Sequence, residues 1–398
     1  MSPRSDIFLL YCARAARGFG DGFAVIILPA YLSAIGATTT EIGFVAAASL
    51  LGTALATLAV GFIAPRYELR NLLLAGAALV VCTGLAFSNV ENLALFALVA
   101  FFGTINPSTG DLGMLVPLEH AMLAREAPDH ERTRVFARYS LIGALSMAAG
   151  ALAAALPDFA AGVGIGKIGA FKLMFYLYAV LGLVSAALYK LLPHAPAHEK
   201  TPGAPLGPSR GVVYKLAALF SIDAFAGGFV VQSLLALWLF ERFDLSLSAA
   251  SVFFFWATAL SAFSYPVAAW LARRIGLINT MVFTHIPSSV FLILAAFSPN
   301  LWLTLTLLLL RAALSQMDVP TRTSYVMAVV TPPERPAAAG VTAVPRSLAA
   351  SISPALSGIL LATSFSGLPL VVCGTLKIVY DVALLFSFRH VKPPEERA

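Results

Sequence analysis

The sequence predicts an all-α membrane protein: twelve transmembrane helices in two pseudo-symmetric six-helix bundles. Three observations predict it. Of 398 residues, 59% are hydrophobic and 12% charged, where a soluble domain carries roughly 25% charged residues. The mean hydropathy is +0.85, more apolar surface than the cores of a soluble chain of this length can absorb. The apolar residues are gathered into runs, and the later runs repeat features of the earlier ones.

A bilayer-spanning helix needs about 20 mostly apolar residues. Twelve runs qualify, near 6–33, 41–64, 69–88, 92–118, 133–156, 169–192, 213–241, 247–272, 277–297, 300–331, 336–363 and 366–390. Helix is the expectation for each, because lipid offers no partner to an unsatisfied backbone group. The alternation of a β-barrel is absent. The fourth and tenth runs carry Pro, Asp and Arg, and helix is the default there too.

Lys and Arg in the connecting segments set orientation. With the N-terminus in the cytoplasm, inner segments hold 17 of them and outer loops hold 3, Lys167, Lys172 and Arg242. Both termini are then cytoplasmic, and a bacterial inner membrane is the expected location. Residues 193–212 read as an inner linker: Pro193 to Gly211 contains five prolines, the composition of an extended spacer without its own core. It separates an N-terminal bundle over 1–192 from a C-terminal bundle over 213–398.

The net charge of +6 does not point to nucleic acid, because the basic residues are scattered between apolar runs rather than gathered on one groove. The three cysteines, Cys12, Cys82 and Cys373, lie inside apolar runs and predict neither a disulfide framework nor a zinc site. The N-terminus lacks the pattern of a cleavable signal peptide. Gly164-Ile-Gly-Lys-Ile-Gly169 matches a nucleotide-binding glycine pattern but has no strand before it. His194 and His198 lie in the linker without further metal ligands. No cofactor, metal or enzymatic activity is expected.

The halves repeat. Residues 114–123, MLVPLEHAML, align with 317–326, MDVPTRTSYV, at an offset of 203, which also carries Glu131-Arg132 onto Glu334-Arg335. GFGDGF at 18–23 aligns with AFAGGF at 224–229 at an offset of 206. A parallel repeat of six helices marks the large two-bundle secondary transporters.

On these features the chain resembles the major facilitator superfamily over its whole length. Gly61-Phe-Ile-Ala-Pro65-Arg66-Tyr-Glu68-Leu-Arg70 is similar to that family's loop between helices 2 and 3, with Pro65 in place of the Asp and Glu68 in place of the second Gly. Arg273-Arg274-Ile-Gly276 is the matching loop of the second half. Ala149-Gly150-Ala151-Leu152 is a poor match to the family's antiporter motif and lacks its Pro, so no antiport expectation rests on it; the better echo is Ser353-Pro354-Ala355-Leu356-Ser357-Gly358. The resemblance implies that helices 1, 4, 7 and 10 line a central cavity, that access alternates by rocking of the bundles, and that a monomer suffices. It also implies inner-loop gating groups, here Arg66, Arg70, Glu131, Arg132, Arg274, Glu334 and Arg335.

A charge inside a span costs roughly 2.5–3.5 kcal/mol or more, so each one is a candidate functional group. Asp21, Asp111, Asp223 and Asp318 fall one to each of helices 1, 4, 7 and 10. Asp21, flanked by glycines that let water and backbone approach, is the leading proton-coupling candidate; its alternative is a fixed pair with Arg17, four residues earlier. The alignment sets Arg17 against Asp223 and Glu119 against Arg322, which suggests crossed partners between the halves. Asn106 to Asp111, and Gln316 with Asp318, mix polar groups with a Pro and are expected to line the cavity. Arg311 and Arg322 are either an anion clamp or neutralise Asp318 and Glu119. Trp238 reads, with the other aromatics, as lipid-facing or an interface anchor, with stacking on a substrate as its alternative; His285 reads as a satisfied core histidine, Arg346 as structural, and Lys377 with Asp381 as an i,i+4 pair.

The expected function is secondary transport of a small organic solute, proton-coupled and in the direction of export. An organic-anion symporter or exchanger using the arginines is the first alternative, and a membrane enzyme is the second. The expected partners are the solute, protons and membrane lipid.

Overall fold

The computed structural model describes residues 3–90, 92–108, 113–127, 131–162, 164–194 and 205–391. Its α-helices are α1 (Pro3–Ala34), α2 (Thr39–Ile63), α3 (Leu69–Asn89), α4 (Leu93–Phe102), α5 (Leu115–Glu126), α6 (Arg132–Ala153), α7 (Leu156–Gly162) and α8 (Lys167–Lys190). They continue as α9 (Arg210–Gly228), α10 (Gln232–Phe243), α11 (Leu247–Ile275), α12 (Leu277–Phe297), α13 (Leu301–Ser315), α14 (Asp318–Val329), α15 (Arg335–Leu361) and α16 (Leu368–Phe388). No strand occurs among the described residues.

Ten stretches are long and apolar enough to cross a membrane. The two remaining expected spans are present as helix but fail that test for visible reasons. α1 has 32 residues, about 48 Å at 1.5 Å per residue, but it carries Arg14, Arg17 and Asp21. The fourth span is divided into α4 and α5.

That division departs from the helix expected over 92–118. Gly103 closes α4 in extended backbone, Asn106 Oδ1 accepts from the Ser108 amide at 2.8 Å, and Gly113 has φ +126°, which favours glycine. The tenth span divides as well, at Gln316 and Met317. Pro320 removes the amide that would bond the Gln316 carbonyl one turn back. Pro117 sits at the same third position of α5. The offset of 203 carries both ends of α5 onto both ends of α14, so the repeat survives as a pair of equivalent half-helices. Residues 109–112, including Asp111, lie outside the described residues. The seventh span also breaks, between α9 and α10, where Ser357 Oγ donates to the freed Phe229 carbonyl at 2.7 Å.

The chain forms two compact units, one of residues 1–200 with 231–258, the other of 201–230 with 259–398. In the first, Tyr31 of α1 packs its ring on Phe96, Phe171 and Phe175 with centroids 5.4–5.9 Å apart. α10 lies against α1 and α2. Asp158 of α7 accepts from the Ser248 amide and hydroxyl, at 2.9 and 2.7 Å, at the start of α11. The core of the second unit is Val213, Leu216 and Phe220 of α9 with Met281 of α12, Tyr325 of α14, and Leu384 and Phe388 of α16.

Small residues set the closest helix contacts, as they do where lipid removes the hydrophobic drive for association. α1 lies on α6 through Gly18, Gly22, Gly143 and Gly150; a Cβ on Gly22 would stand 2.1 Å from the Met147 carbonyl oxygen and one on Gly150 2.0 Å from that of Phe19. α9 lies on α15 in the same way, and a Cβ on Gly228 would meet Ser353 Oγ at 2.0 Å and the Ala350 carbonyl at 2.5 Å. Ala350 is the carbonyl that Pro354 leaves without a helical donor. Gly22 and Gly228 are equivalent at the offset of 206. Gly22→Leu and Gly228→Leu are therefore each expected to abolish monodisperse protein in detergent size-exclusion chromatography. Gly211→Ala, where a Cβ meets nothing within 4 Å, is expected to leave the elution profile and Tm unchanged or slightly raised.

Candidate functional site

Each unit holds a buried cluster of charged side chains around one ion pair. In the first unit, Arg17 of α1 pairs with Glu119 of α5. Glu119 is fully buried and also accepts from the hydroxyls of Tyr139 on α6 and Tyr189 on α8. Arg14 lies over the Tyr139 ring, 5.3 Å from its centroid. Three donors from three helices thus converge on one carboxylate, which lowers the cost of burying the pair.

In the second unit, Asp223 of α9 accepts from Arg322 of α14 at 3.0 Å and from Lys377 of α16 at 2.6 Å. Arg322 also pairs with Asp318, one turn earlier on α14, at 3.1 Å. Lys377 Nζ lies 3.2 Å from His285 Nε2, and His285 Nδ1 lies 3.1 Å from Asp381 Oδ1. The cluster joins α9, α12, α14 and α16.

These contacts replace the crossed pairing. Arg17 and Asp223 occupy equivalent positions, as do Glu119 and Arg322, but each half pairs its own two. The geometry is repeated and the sign reversed: base on α1 and acid on α5, acid on α9 and base on α14. Lys377 and Asp381 do not pair with each other; one goes to Asp223 and the other to His285. Sequence reasoning assigned no role to Tyr139, Tyr178 or Tyr189, read His285 as a core histidine and Lys377 as a local pair with Asp381, and took Glu119 as one of the crossed partners. The alignment of Glu119 with Arg322 was the available signal for Glu119. No local pattern marks the tyrosines.

Asp21 stands apart from the pairs. Its carboxylate accepts from Tyr178 Oη at 3.2 Å, Tyr178 is 3.1 Å from Thr104 Oγ1, and no cation lies within 4 Å of it among the described residues. Asp21, Arg17, Tyr178, Thr53 and Thr104 line one small cavity in the first unit, with Val80, Met114 and Leu115 as its apolar wall. The gap between α4 and α5 opens this space, since Gly103, Thr104 and Gly113 are on its surface.

The other sequence candidates are placed as follows. Asn106 is half-buried in the α4–α5 connection. Arg311 of α13 is half-buried with no carboxylate in ion-pair range among the described residues, and Gln316 caps α13. Trp238 of α10 is 1% exposed, with the Arg242 guanidinium 5.9 Å from its ring centroid. Arg346 of α15 makes no ion pair among the described residues. No group of three or more His, Cys, Asp or Glu among the described residues is arranged to hold a metal ion.

The inner-loop candidates divide into three kinds. Arg70 donates to the Lys190 carbonyl at 2.6 Å and contacts His194 at 2.5 Å, while Glu68 meets the same imidazole at 3.1 Å. Arg66 is exposed, Glu131 precedes α6 and Arg132 begins it; Arg274 covers the Trp270 ring at 4.3 Å. Glu334 accepts from the Gly207 amide and from the Ser209 and Thr331 hydroxyls, closing the start of α9 onto the start of α15. Arg335 Nε donates to the Met327 carbonyl at 3.1 Å.

Two outcomes follow. Glu119→Gln removes the charge opposite buried Arg17 and is expected to cost about 3–5 kcal/mol, read as a lower Tm in detergent. The double variant Arg17→Glu with Glu119→Arg is expected to recover part of that loss, since the second unit houses the reversed polarity; no recovery would mean that the pair is not the stabilising element. The Ser209 hydroxyl, the Thr331 hydroxyl and the Gly207 amide hold the Glu334 carboxyl down at about 2, from an ordinary value of 4.5. A depressed acid stabilises above its unfolded value and loses that contribution as the pH falls through its folded one. The Tm gap between wild type and Glu334→Gln is therefore expected to be constant above about pH 5 and to close between about 4.5 and about 2.

The chain matches the family model described as Major Facilitator Superfamily over residues 10–286 and 216–398. An uncharacterised membrane protein of Saccharomyces cerevisiae, YJR124C, is 26% identical over 97% of this chain and 94% of its own length. The quinolone resistance protein NorA of Staphylococcus aureus is 24% identical over 50% of this chain and 47% of its own. The crystal structure of the nucleoside transporter NupG superposes with a TM-score of 0.76 at 14% identity, covering 97% of this chain and 99% of NupG.

Proposed function

The chain belongs to the Major Facilitator Superfamily, and from that premise we propose that it is a proton-coupled secondary transporter which exports a small organic solute by alternating access. It is an integral, multi-pass membrane protein of a transporter family. The observation that carries the finer reading is Asp21. The other buried cavity-helix carboxylates, Glu119, Asp223 and Asp318, each meet a cation, whereas Asp21 meets a tyrosine hydroxyl and a polar cavity. Neutralising a paired carboxylate strands its partner's charge, while neutralising Asp21 strands none at contact distance. A carboxyl in that position takes up and releases a proton at the least cost to the surrounding structure.

The direction of export is supported by the partial match to a drug-resistance protein. The distribution of Lys and Arg supports a cytoplasmic position for both termini. The second reading, transport of an organic anion, has Arg311 in its favour: a half-buried guanidinium without a carboxylate partner among the described residues is a fit for a carboxylate or phosphate.

Proton movement in inverted vesicles holding an acid-inside gradient tests both readings. A panel of lipophilic cations and neutral drugs is added first, then organic anions. Dissipation of the gradient by a cation or neutral compound in wild type, abolished in Asp21→Asn, is the expected result. Undiminished dissipation in Asp21→Asn overturns the coupling role. A response only to anions, lost in Arg311→Lys although the charge is kept, transfers the reading to anion transport.

A further inference from the structure

We propose that His285, in the second unit, is a proton-binding residue whose protonation exchanges the partner of Asp223 from Lys377 to the imidazolium. The inference stands on the second unit alone and does not require Asp21 to carry the coupling proton.

The contacts of His285 fix its state. A charged lysine has only donors to offer. With Lys377 Nζ at 3.2 Å, Nε2 must accept, so the proton of the neutral ring sits on Nδ1 and is donated to Asp381 Oδ1 at 3.1 Å. A single chain of hydrogen bonds then runs from Asp381 through His285 and Lys377 to Asp223, and on through Arg322 to Asp318. A proton added to this ring can enter only at Nε2. There it confronts the Lys377 ammonium, two donors and two positive charges at hydrogen-bond distance, and the contact must break.

The alternative partner is already in place. His285 Nε2 lies 3.9 Å from Asp223 Oδ1, the same oxygen that Lys377 contacts at 2.6 Å. Arg322 holds the other oxygen, Oδ2, at 3.0 Å. A small rotation of the ring carries Nε2–H onto Oδ1 as Lys377 withdraws, and Asp223 keeps two cationic donors throughout. Lysine, with a flexible four-carbon stem, is the member of the pair suited to leave.

The groups linked by contact are Asp223, Asp318 and Asp381 with Arg322, Lys377 and His285, and the Arg346 guanidinium acts on Asp223 and Asp318 from beyond ion-pair range. Asp381 is fully buried, and its Oδ2 has no hydrogen-bond partner among the described residues. A protonated His285 converts its one neutral hydrogen bond into an ion pair. The neighbouring elements bring Tyr380 and Cys373 from α16, Arg311 from α13 and Arg346 from α15, and none of these forms an ion pair in the cluster. Imidazole is the side chain whose unperturbed charge changes between about pH 5 and 8. The cluster therefore contains a two-state element: the arrangement seen here with His285 neutral, and one with Lys377 released.

Nitrogen-15 NMR of imidazole-labelled full-length protein in lipid nanodiscs tests this. The His285 signal is assigned by its loss in His285→Gln or, should that variant not fold, in a chain with the five other histidines replaced. At pH 8 the expected spectrum is the neutral Nδ1–H tautomer, and acidification to pH 5 is expected to convert it to imidazolium. A proton-uptake measurement over the same pH jump is expected to give one proton more per chain for wild type than for His285→Gln. Asp21→Asn is expected to leave the His285 transition in place, which separates this inference from the coupling role of Asp21. An Nε2–H tautomer at pH 8 overturns the proposal. So does a ring that stays neutral to pH 5 in protein that is still monodisperse at that pH.

Discussion

The buried ion pair that joins the first helix of each repeat to its fourth is the constraint on which the other features depend. Charges inside a span are tolerated only when paired and further bonded, and both units meet that condition. Glu119 draws one arginine and two tyrosines from three helices; Asp223 draws an arginine and a lysine from two. The half-helices α5 and α14 exist in matching form because Pro117 and Pro320 start them at the same place, which sets Glu119 and Arg322 one turn further in. The glycine contacts of α1 with α6 and of α9 with α15 then bring the helix axes close enough for the side chains to meet. Backbone breaks, close packing and buried charge are one arrangement, built twice.

The split of the fourth span gives the first unit something that the second lacks. α4 is shorter than α13, and the connection to α5 is correspondingly longer. Its described residues, 103–108 and 113–114, are irregular backbone, which inside a membrane is stable only against protein or a polar cavity. Here it lines the cavity of Asp21, Tyr178 and Thr104. The tenth span needs only two residues to pass from α13 to α14, and its acid, Asp318, is taken up by Arg322.

Much of this was legible in the sequence. Composition and run length gave the class, and the repeats at offsets of 203 and 206 picked out Arg17, Glu119, Asp223 and Arg322 as equivalent positions; they did not foretell that residues 231–258 group with 1–200. The pairing itself was not legible, because alignment reports equivalence and not proximity: Arg17 and Asp223 match in the repeat, yet each sits beside a partner in its own repeat, Glu119 and Arg322. Lys377 and Asp381 show the same limit. Their i,i+4 spacing permits a pair, but each side chain faces a stronger partner on another helix, and tertiary contact overrides the local one. The breaks in α4–α5 and α9–α10 were hidden for a different reason. Gly and Pro in an apolar run signal permission to bend, and whether the helix ends depends on a partner for the freed carbonyl, such as Ser357 for Phe229.

The reversal of sign between the halves has a consequence for how the chain assembles. α5 and α14 are equivalent half-helices of the repeat, so α1 and α9 each have a correct and an incorrect one to meet. Electrostatics admits only one choice for each. Docking α1 on α14 would set Arg17 against Arg322, and docking α9 on α5 would set Asp223 against Glu119, burying like charges in a low-dielectric interior. A chain emerging into the membrane one helix at a time therefore carries its own proofreading: like charges of the wrong repeat repel, and each buried ion pair closes within its own repeat, even though α10 goes to α1 and α2.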